Sequence, residues 1–157
     1  MFYINARAII ERTFNGRKEV IIQWRNKHGE GCYEFPSERI EAFESFYDAL
    51  RREVKEETGL DLVHATGQAN RTQAEGGDWL VENFKPFSVY QTLAGPVDSL
   101  GAHFICHATG ELLTQGDDST NIQWISLDEL KALLATPKQF SGIDKPAALL
   151  YLQESHP

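Results

Sequence analysis

The stretch SFYDALRREVKEETG, residues 45–59, has the residue types and spacing to do chemistry. Phe46, Leu50 and Val54 recur at helical spacing, with Tyr47 on their flank, so a helix is predicted over 46–58. Ser45 is the expected N-cap, Asp48 three residues on completes a capping box, and Gly59 is the expected stop. Asp48, Arg51, Arg52 and Lys55 fall on the opposite, solvated arc. Glu57 does not: at 100° per residue it projects only about 20° from Leu50, and Glu53 about 60° on the same side. The two acids, at i and i+4, share the border of the apolar stripe. Carboxylates held at such an edge repel one another and lose solvation. A hard divalent cation relieves both penalties, and Mg2+ is commonly held by one or two carboxylates plus substrate phosphates. The same residues also read as a surface helix laced by ion pairs, since Arg52 and Glu56 are likewise at i and i+4.

The run Arg52-Glu53-Val54-Lys55-Glu56-Glu57-Thr58-Gly59-Leu60 resembles the core of the Nudix box, Gly-x5-Glu-x7-Arg-Glu-U-x-Glu-Glu-x-Gly-U, where U is apolar. Glu44 stands where the pattern requires its first glutamate. Eight of the nine specified positions over residues 38–60 match, and the ninth is Glu38 in place of the first glycine, after Ser37. Glu34-Phe35-Pro36 before the box is family-like, as is 121–130, NIQWISLDEL, which resembles the Trp-containing strand and final helix of many members. The resemblance implies an α/β fold, a Nudix-type α/β/α sandwich with a mixed β-sheet. It also implies hydrolysis of a nucleoside diphosphate linked to another moiety, by water attack at phosphorus with Mg2+, Mn2+ being an acceptable substitute. By position, Glu53, Glu57 and Glu56 would be the metal-binding and catalytic acids, and Arg52 would orient a glutamate through a charge-assisted hydrogen bond. Glu44 would support the loop-to-helix junction or approach the metal. The metal would neutralise the diphosphate, activate a water and stabilise the leaving phosphate.

The general base is not fixed within this family. Asp118, six residues before Trp124, stands near where many members place another acid, with Asp117, Glu111 and Glu82 as weaker candidates. An acidic loop beside Gly116 also reads as a solvated turn. A glycine at position 38 would allow positive φ or close approach to a phosphate, so Glu38 must either bear that strain or belong to a loop with ordinary φ. Its charge is expected to alter substrate selection without abolishing hydrolysis. Glu38 also motivates the alternative, a non-catalytic nucleotide-ligand-binding Nudix domain. A third option, a Nudix-type isoprenoid diphosphate isomerase, would need its own Cys and Glu, and the spacing of Cys32 does not place it in that role.

Elsewhere the chemistry is sparser. His103 and His107 share a strand face, but four residues span ~13 Å, too far to ligate one ion comfortably. They read as sheet-face residues, with His28 and His64 in loops or strand ends. Trp24, Tyr33, Phe35, Trp79, Phe84 and Phe87 include base-stacking candidates, though aromatics at strand positions are commonly core. Region 74–77, AEGG, carries neither the proline that accompanies ADP-ribose activity in some subfamilies nor the tyrosine that accompanies dinucleoside polyphosphates. A downstream SQPWPFPxS array is also absent.

The elements that must position these residues follow from pattern. Strands are expected at 4–10, 20–24, 60–72, 87–93, 100–108 and 122–125, with helices at 127–134, capped by Ser126, and 145–153. Residues 26–37, with Gly29 and Gly31, read as a structured loop, and Asn15-Gly16 and Gly76-Gly77-Asp78 as turns. Strands, helix, strands, helices imply a mixed sheet covered on both faces. The 157 residues, 41% hydrophobic, fit a single domain, 1–157. No apolar run approaches a membrane span, and the N-terminus does not read as a signal peptide, so cytoplasm is the expected location. Cys32 and Cys106 form neither a disulfide framework nor a zinc ribbon. Fifteen Lys and Arg against 23 Asp and Glu, net −8, argue against a nucleic-acid polymer as partner. The expected partner is a small nucleoside-diphosphate-type molecule, and a homodimer is in keeping with the family resemblance.

Overall fold

The computed structural model describes residues 1–27 and 30–155; His28 and Gly29 of the predicted loop lie outside the described residues. The chain runs β1 (Phe2–Phe14), β2 (Arg17–Lys27), β3 (Glu30–Glu34), β4 (Ser37–Arg39), α1 (Phe46–Glu53) and a π-helical continuation (Val54–Thr58). It continues as β5 (Asp61–Ala65), β6 (Thr72–Gly76), β7 (Trp79–Asn83), β8 (Ser88–Gln91), β9 (Asp98–Thr109), β10 (Thr120–Ser126), α2 (Leu127–Ala135) and α3 (Lys145–Ser155).

One mixed sheet has the path β10-β2-β1-β9-β5, with β3 beside β2, β4 beside β1 and β8 beside β9. The central pair, β1 and β9, is parallel from Phe2↔Asp98 to Ile10↔Cys106, and the other pairs are antiparallel. Alternation along the strands sends the side chains of β1 to two cores. Ala6, Ala8 and Ile10 join Ile21 and Phe104 under Tyr47, Leu50 and Val54 of the α1 segment. Ile9 joins Val20, Ile22 and Phe35 under Leu130 and Leu134 of α2 and Tyr151 and Leu152 of α3. The expected α/β/α layering is therefore present.

The sheet splits at one edge of β1, and this split prepares the site. Glu11–Phe14 pair with β2, while Asn5–Arg7 pair with β4. Between them the chain passes through Phe35-Pro36, where the Pro36 carbonyl accepts the Ala8 N–H at 2.8 Å. Proline has no N–H to donate to a ladder, so β3 ends here and the chain re-pairs as β4. Two expectations are corrected. The predicted loop 26–37 contains strand β3 and takes in the end of β2 and the first residue of β4, because Glu30–Glu34 extend the ladder of β2 despite Gly31. The predicted strand 60–72 stops at Ala65, and Gly67 turns the chain at φ +78. There, an added Cβ would stand 2.2 Å from the Lys85 carbonyl oxygen.

Candidate functional site

The site forms where α1 meets β4 and the loop before β10. Ser45 caps α1 as expected, its hydroxyl accepting the Asp48 N–H at 3.0 Å. The Asp48 carboxylate turns to Arg51 instead of closing the box. The helix widens into a π turn over Val54–Thr58, with the Thr58 hydroxyl donating to the Val54 carbonyl, and Gly59 ends it at φ +78. Such π segments recur at functional sites because they re-aim side chains without breaking the helix.

The structure arranges the predicted acids in two groups. Single carboxylate oxygens of Glu38, Glu53 and Glu56 lie within 4.8 Å of one another. Glu57, 3% exposed, instead accepts a hydrogen bond from the hydroxyl of buried Ser119, across the loop from α1. Glu53 is 2% exposed, and its Oε1 has no hydrogen-bond partner among the described residues. Burial, followed by the charges of Glu57 and Glu38, pushes the Glu53 carboxyl up to about 9, against a smaller opposing pull from Arg25. Hard oxygen donors around a buried carboxylate with an orphaned oxygen are the donor set a Mg2+-type cation takes. The residues present fit such an ion.

Arg52 organises the edge of this cluster. Its fork holds Glu44 through Nε at 3.2 Å and Nη2 at 2.8 Å, and Nη1 donates to Glu38 Oε2 at 3.1 Å. The Glu44 carboxyl is lowered chiefly by this hydrogen bond, and Arg52 is raised by it in turn. Glu38 bears no left-handed strain. It pairs with Ala6 in β4 and is absent from the positive-φ residues Asn15, Phe43, Asn121 and Lys138.

Asp118 is exposed beside Asp117, at the tip of a reversal closed by the Gly116 N–H to the Ser119 carbonyl at 3.0 Å. The loop reaches Glu57 through its flanks rather than through this acid. A Cβ on Gly116 would sit 2.5 Å from the Glu57 carbonyl and 2.8 Å from its Oε2, so only glycine fits this approach. Sequence reasoning missed Ser119 and Gly116; the small residues flanking two aspartates were the available signal. It also missed Gln23, which is fully buried on the α1 side of β2, both ends of its amide without a hydrogen-bond partner among the described residues.

The remaining candidates are held elsewhere. His103 is buried against Asp144 at 2.7 Å, while exposed His107 pairs with Glu11 at 2.9 Å and stacks on His64. Phe84 packs against Phe46, Tyr47 and Phe104, and Phe35 against Phe140, so both belong to the core. Trp24 and Tyr33 meet edge to face beside the site strands, and the Tyr33 hydroxyl accepts the Asn121 amide at 2.7 Å. Among the described residues no helix is long and apolar enough to cross a membrane.

Comparison with known proteins agrees with this geometry. A curated Caenorhabditis elegans protein, "Putative nudix hydrolase 1", is 28% identical over 133 residues, covering 83% of this chain. The match takes in 30% of that protein, so the chain spans under a third of its relative's length. A MutT NUDIX hydrolase from Burkholderia pseudomallei shares the fold with a TM-score of 0.65 at 20% identity, covering 98% of this chain and 97% of that one. The NUDIX domain of Shewanella oneidensis NrtR, crystallised with ADP ribose, does so with a TM-score of 0.67 at 12% identity, covering 99% and 88%. The NUDIX domain family model matches residues 4–145, nearly the whole chain, and with the box on α1 and the mixed sheet beneath it the protein belongs to the NUDIX domain family.

Proposed function

We propose that this chain is a Mg2+-dependent pyrophosphohydrolase, with Mn2+ as an acceptable ion, that cleaves the diphosphate of a nucleoside diphosphate linked to another moiety. The observation that carries the reading is Glu53, a buried carboxyl with an orphaned oxygen, facing further carboxylates at the end of the family's signature helix. Glu53, Glu56 and Glu57 hold the cation in this reading. Arg52 braces the helix entrance through Glu44, Ser119 holds Glu57 in place, and Asp118 stands exposed at the tip of that loop as the accessory acid. A divalent ion bound there supplies charge neutralisation for the diphosphate and activation of the attacking water. The chain works as one domain in the cytoplasm, alone or as a homodimer, on a small molecule rather than a nucleic-acid polymer.

A second reading, a nucleotide-ligand-binding domain without catalysis, draws on Glu38 at the first glycine of the box and on the NrtR domain, whose structure holds ADP ribose. A substrate panel separates the two. Nucleoside triphosphates, ADP-ribose, nucleotide sugars and dinucleoside polyphosphates are incubated with Mg2+, and phosphate release is read with added phosphatase. Hydrolysis of at least one class supports the enzyme. Inertness across the panel, with saturable nucleotide binding by the folded chain, favours the binding domain.

A further inference from the structure

Glu38 occupies the position at which the family pattern has no side chain, and its carboxylate turns toward the acidic helix. β4 fixes its backbone opposite Ala6. Both oxygens are then steered: Oε1 accepts the Arg39 N–H at 2.7 Å, and Oε2 accepts Arg52 Nη1 at 3.1 Å. Arg52 spends the rest of its fork on Glu44, so its hydrogen bonds aim Glu38 and none goes to Glu53 or Glu56 among the described residues. In this pose Glu38 brings an oxygen within 4.8 Å of ligand oxygens on Glu53 and Glu56. A separate observation points to a ligand here. The Glu53 side chain is 2% exposed, yet its Oε1 has no donor among the described residues, and buried carboxylate oxygens are ordinarily satisfied.

We propose that Glu38 is a metal ligand from outside the helix, and that with Glu53 and Glu56 it holds a divalent cation before any substrate arrives. The proposal rests on the metal reading of the helix given above, and adds a ligand from β4 and a resident ion. Mg2+ is usually bound by one or two protein carboxylates, with substrate phosphates completing the oxygen set. A third carboxylate supplies hard, anionic oxygen that the substrate would otherwise bring. The incoming diphosphate then meets a cation already in place.

The test is Mn2+ binding to the full chain without nucleotide, followed by electron paramagnetic resonance of the free ion. Hydration of the bound ion is read from water-proton relaxation. Wild type, Glu38→Gln, Glu38→Ala, Glu38→Asp and Glu53→Gln are compared, with circular dichroism confirming that each is folded. Wild type is expected to bind Mn2+ without nucleotide. Glu38→Ala and Glu38→Gln should weaken binding by roughly 10- to 100-fold, the range that perturbing a metal shell produces. The ion bound to Glu38→Ala should also gain a water. Freeing Arg52 alone would not add a water, so hydration separates ligation from a merely structural role. Glu38→Asp keeps the charge but withdraws the oxygen, and covers the case in which Glu38→Ala fails to fold; it too should bind more weakly. Wild-type affinity and hydration in all folded Glu38 variants, with binding lost in Glu53→Gln, overturns the role of Glu38 and leaves the helix reading intact. Binding by wild type only when a non-hydrolysable methylene diphosphate analogue is added overturns the resident ion alone. Absence of binding even with the analogue overturns both.

Discussion

Glu53 keeps its proton at neutral pH in the metal-free protein, because burial first and then the Glu57 and Glu38 charges push its carboxyl up to about 9. The consequence for stability has a definite sign. Between the ordinary value of 4.5 and about 9, the folded chain holds a proton that the unfolded chain has released. Folding therefore grows less favourable as pH rises through that window, and the loss levels off above it. Glu53→Gln removes this titration. With a chelator present, its Tm should exceed that of wild type at pH 8 by more than at pH 5, as measured by thermal circular dichroism. Equal differences at the two pH values would mean that Glu53 is already ionised in the folded chain. The apolar phase of the helix made Glu53 conspicuous in the sequence. Its convergence with Glu38 was not visible there, because it depends on β4 pairing with β1 across a break at Phe35-Pro36.

At the scale of elements, α1 and its π turn present the acids, and the loop before β10 decides where Glu57 points. A uniform helical wheel places Glu57 beside Glu53 on one border. In the structure the Ser119 hydroxyl claims its Oε2, and Gly116 lets the loop close onto the turn. Ser119→Ala leaves that buried oxygen without its donor, a change that costs about 1–3 kcal/mol of local order. We expect a fall in kcat of roughly tenfold or more with Tm lowered by only a few degrees, checked by steady-state kinetics beside thermal melts. Unchanged kcat would return Ser119 to a packing role. The sequence offered Asp118 as the notable residue of this loop because aspartate suggests chemistry. Its small neighbours make the contact, and contacts between segments 62 residues apart leave no local periodicity to read.

For the whole molecule, the layers are joined by a buried charge network around Asp144, which precedes α3. Its carboxylate accepts Arg7 Nε of β1 at 2.6 Å, meets His103 of β9 at 2.7 Å and accepts the Phe35 N–H at 2.9 Å. Burial alone would raise this carboxyl, but Arg7 and then His103 outweigh it and hold it well below the usual carboxylate range. A depressed carboxyl stabilises the fold above its unfolded value of 3.8, and that stability is lost as pH falls below 3.8 toward the folded value. Asp144→Asn should destabilise the protein by about 3 kcal/mol at pH 7, since buried Arg7 loses its close partner at 2.6 Å and keeps only the longer pair to Glu34 at 3.7 Å. Denaturant unfolding measures this, and the gap to wild type should shrink in acid. Alternation in β1, β2 and β9 and the two serine-capped helices made the layered fold legible in the sequence. The Asp144 network was hidden because its members are singly unremarkable and meet only after β1, β9 and α3 have packed.

The central claim is that a divalent ion at the α1 acids drives diphosphate hydrolysis. Its most direct test is the Mg2+ dependence of turnover for wild type, Glu53→Gln and Glu57→Gln on the best substrate of the panel, each shown to be folded by circular dichroism. Wild type should require Mg2+, and each variant should lose at least about a hundredfold in kcat while retaining its fold. Wild-type-like, Mg2+-dependent rates in both variants would contradict the account.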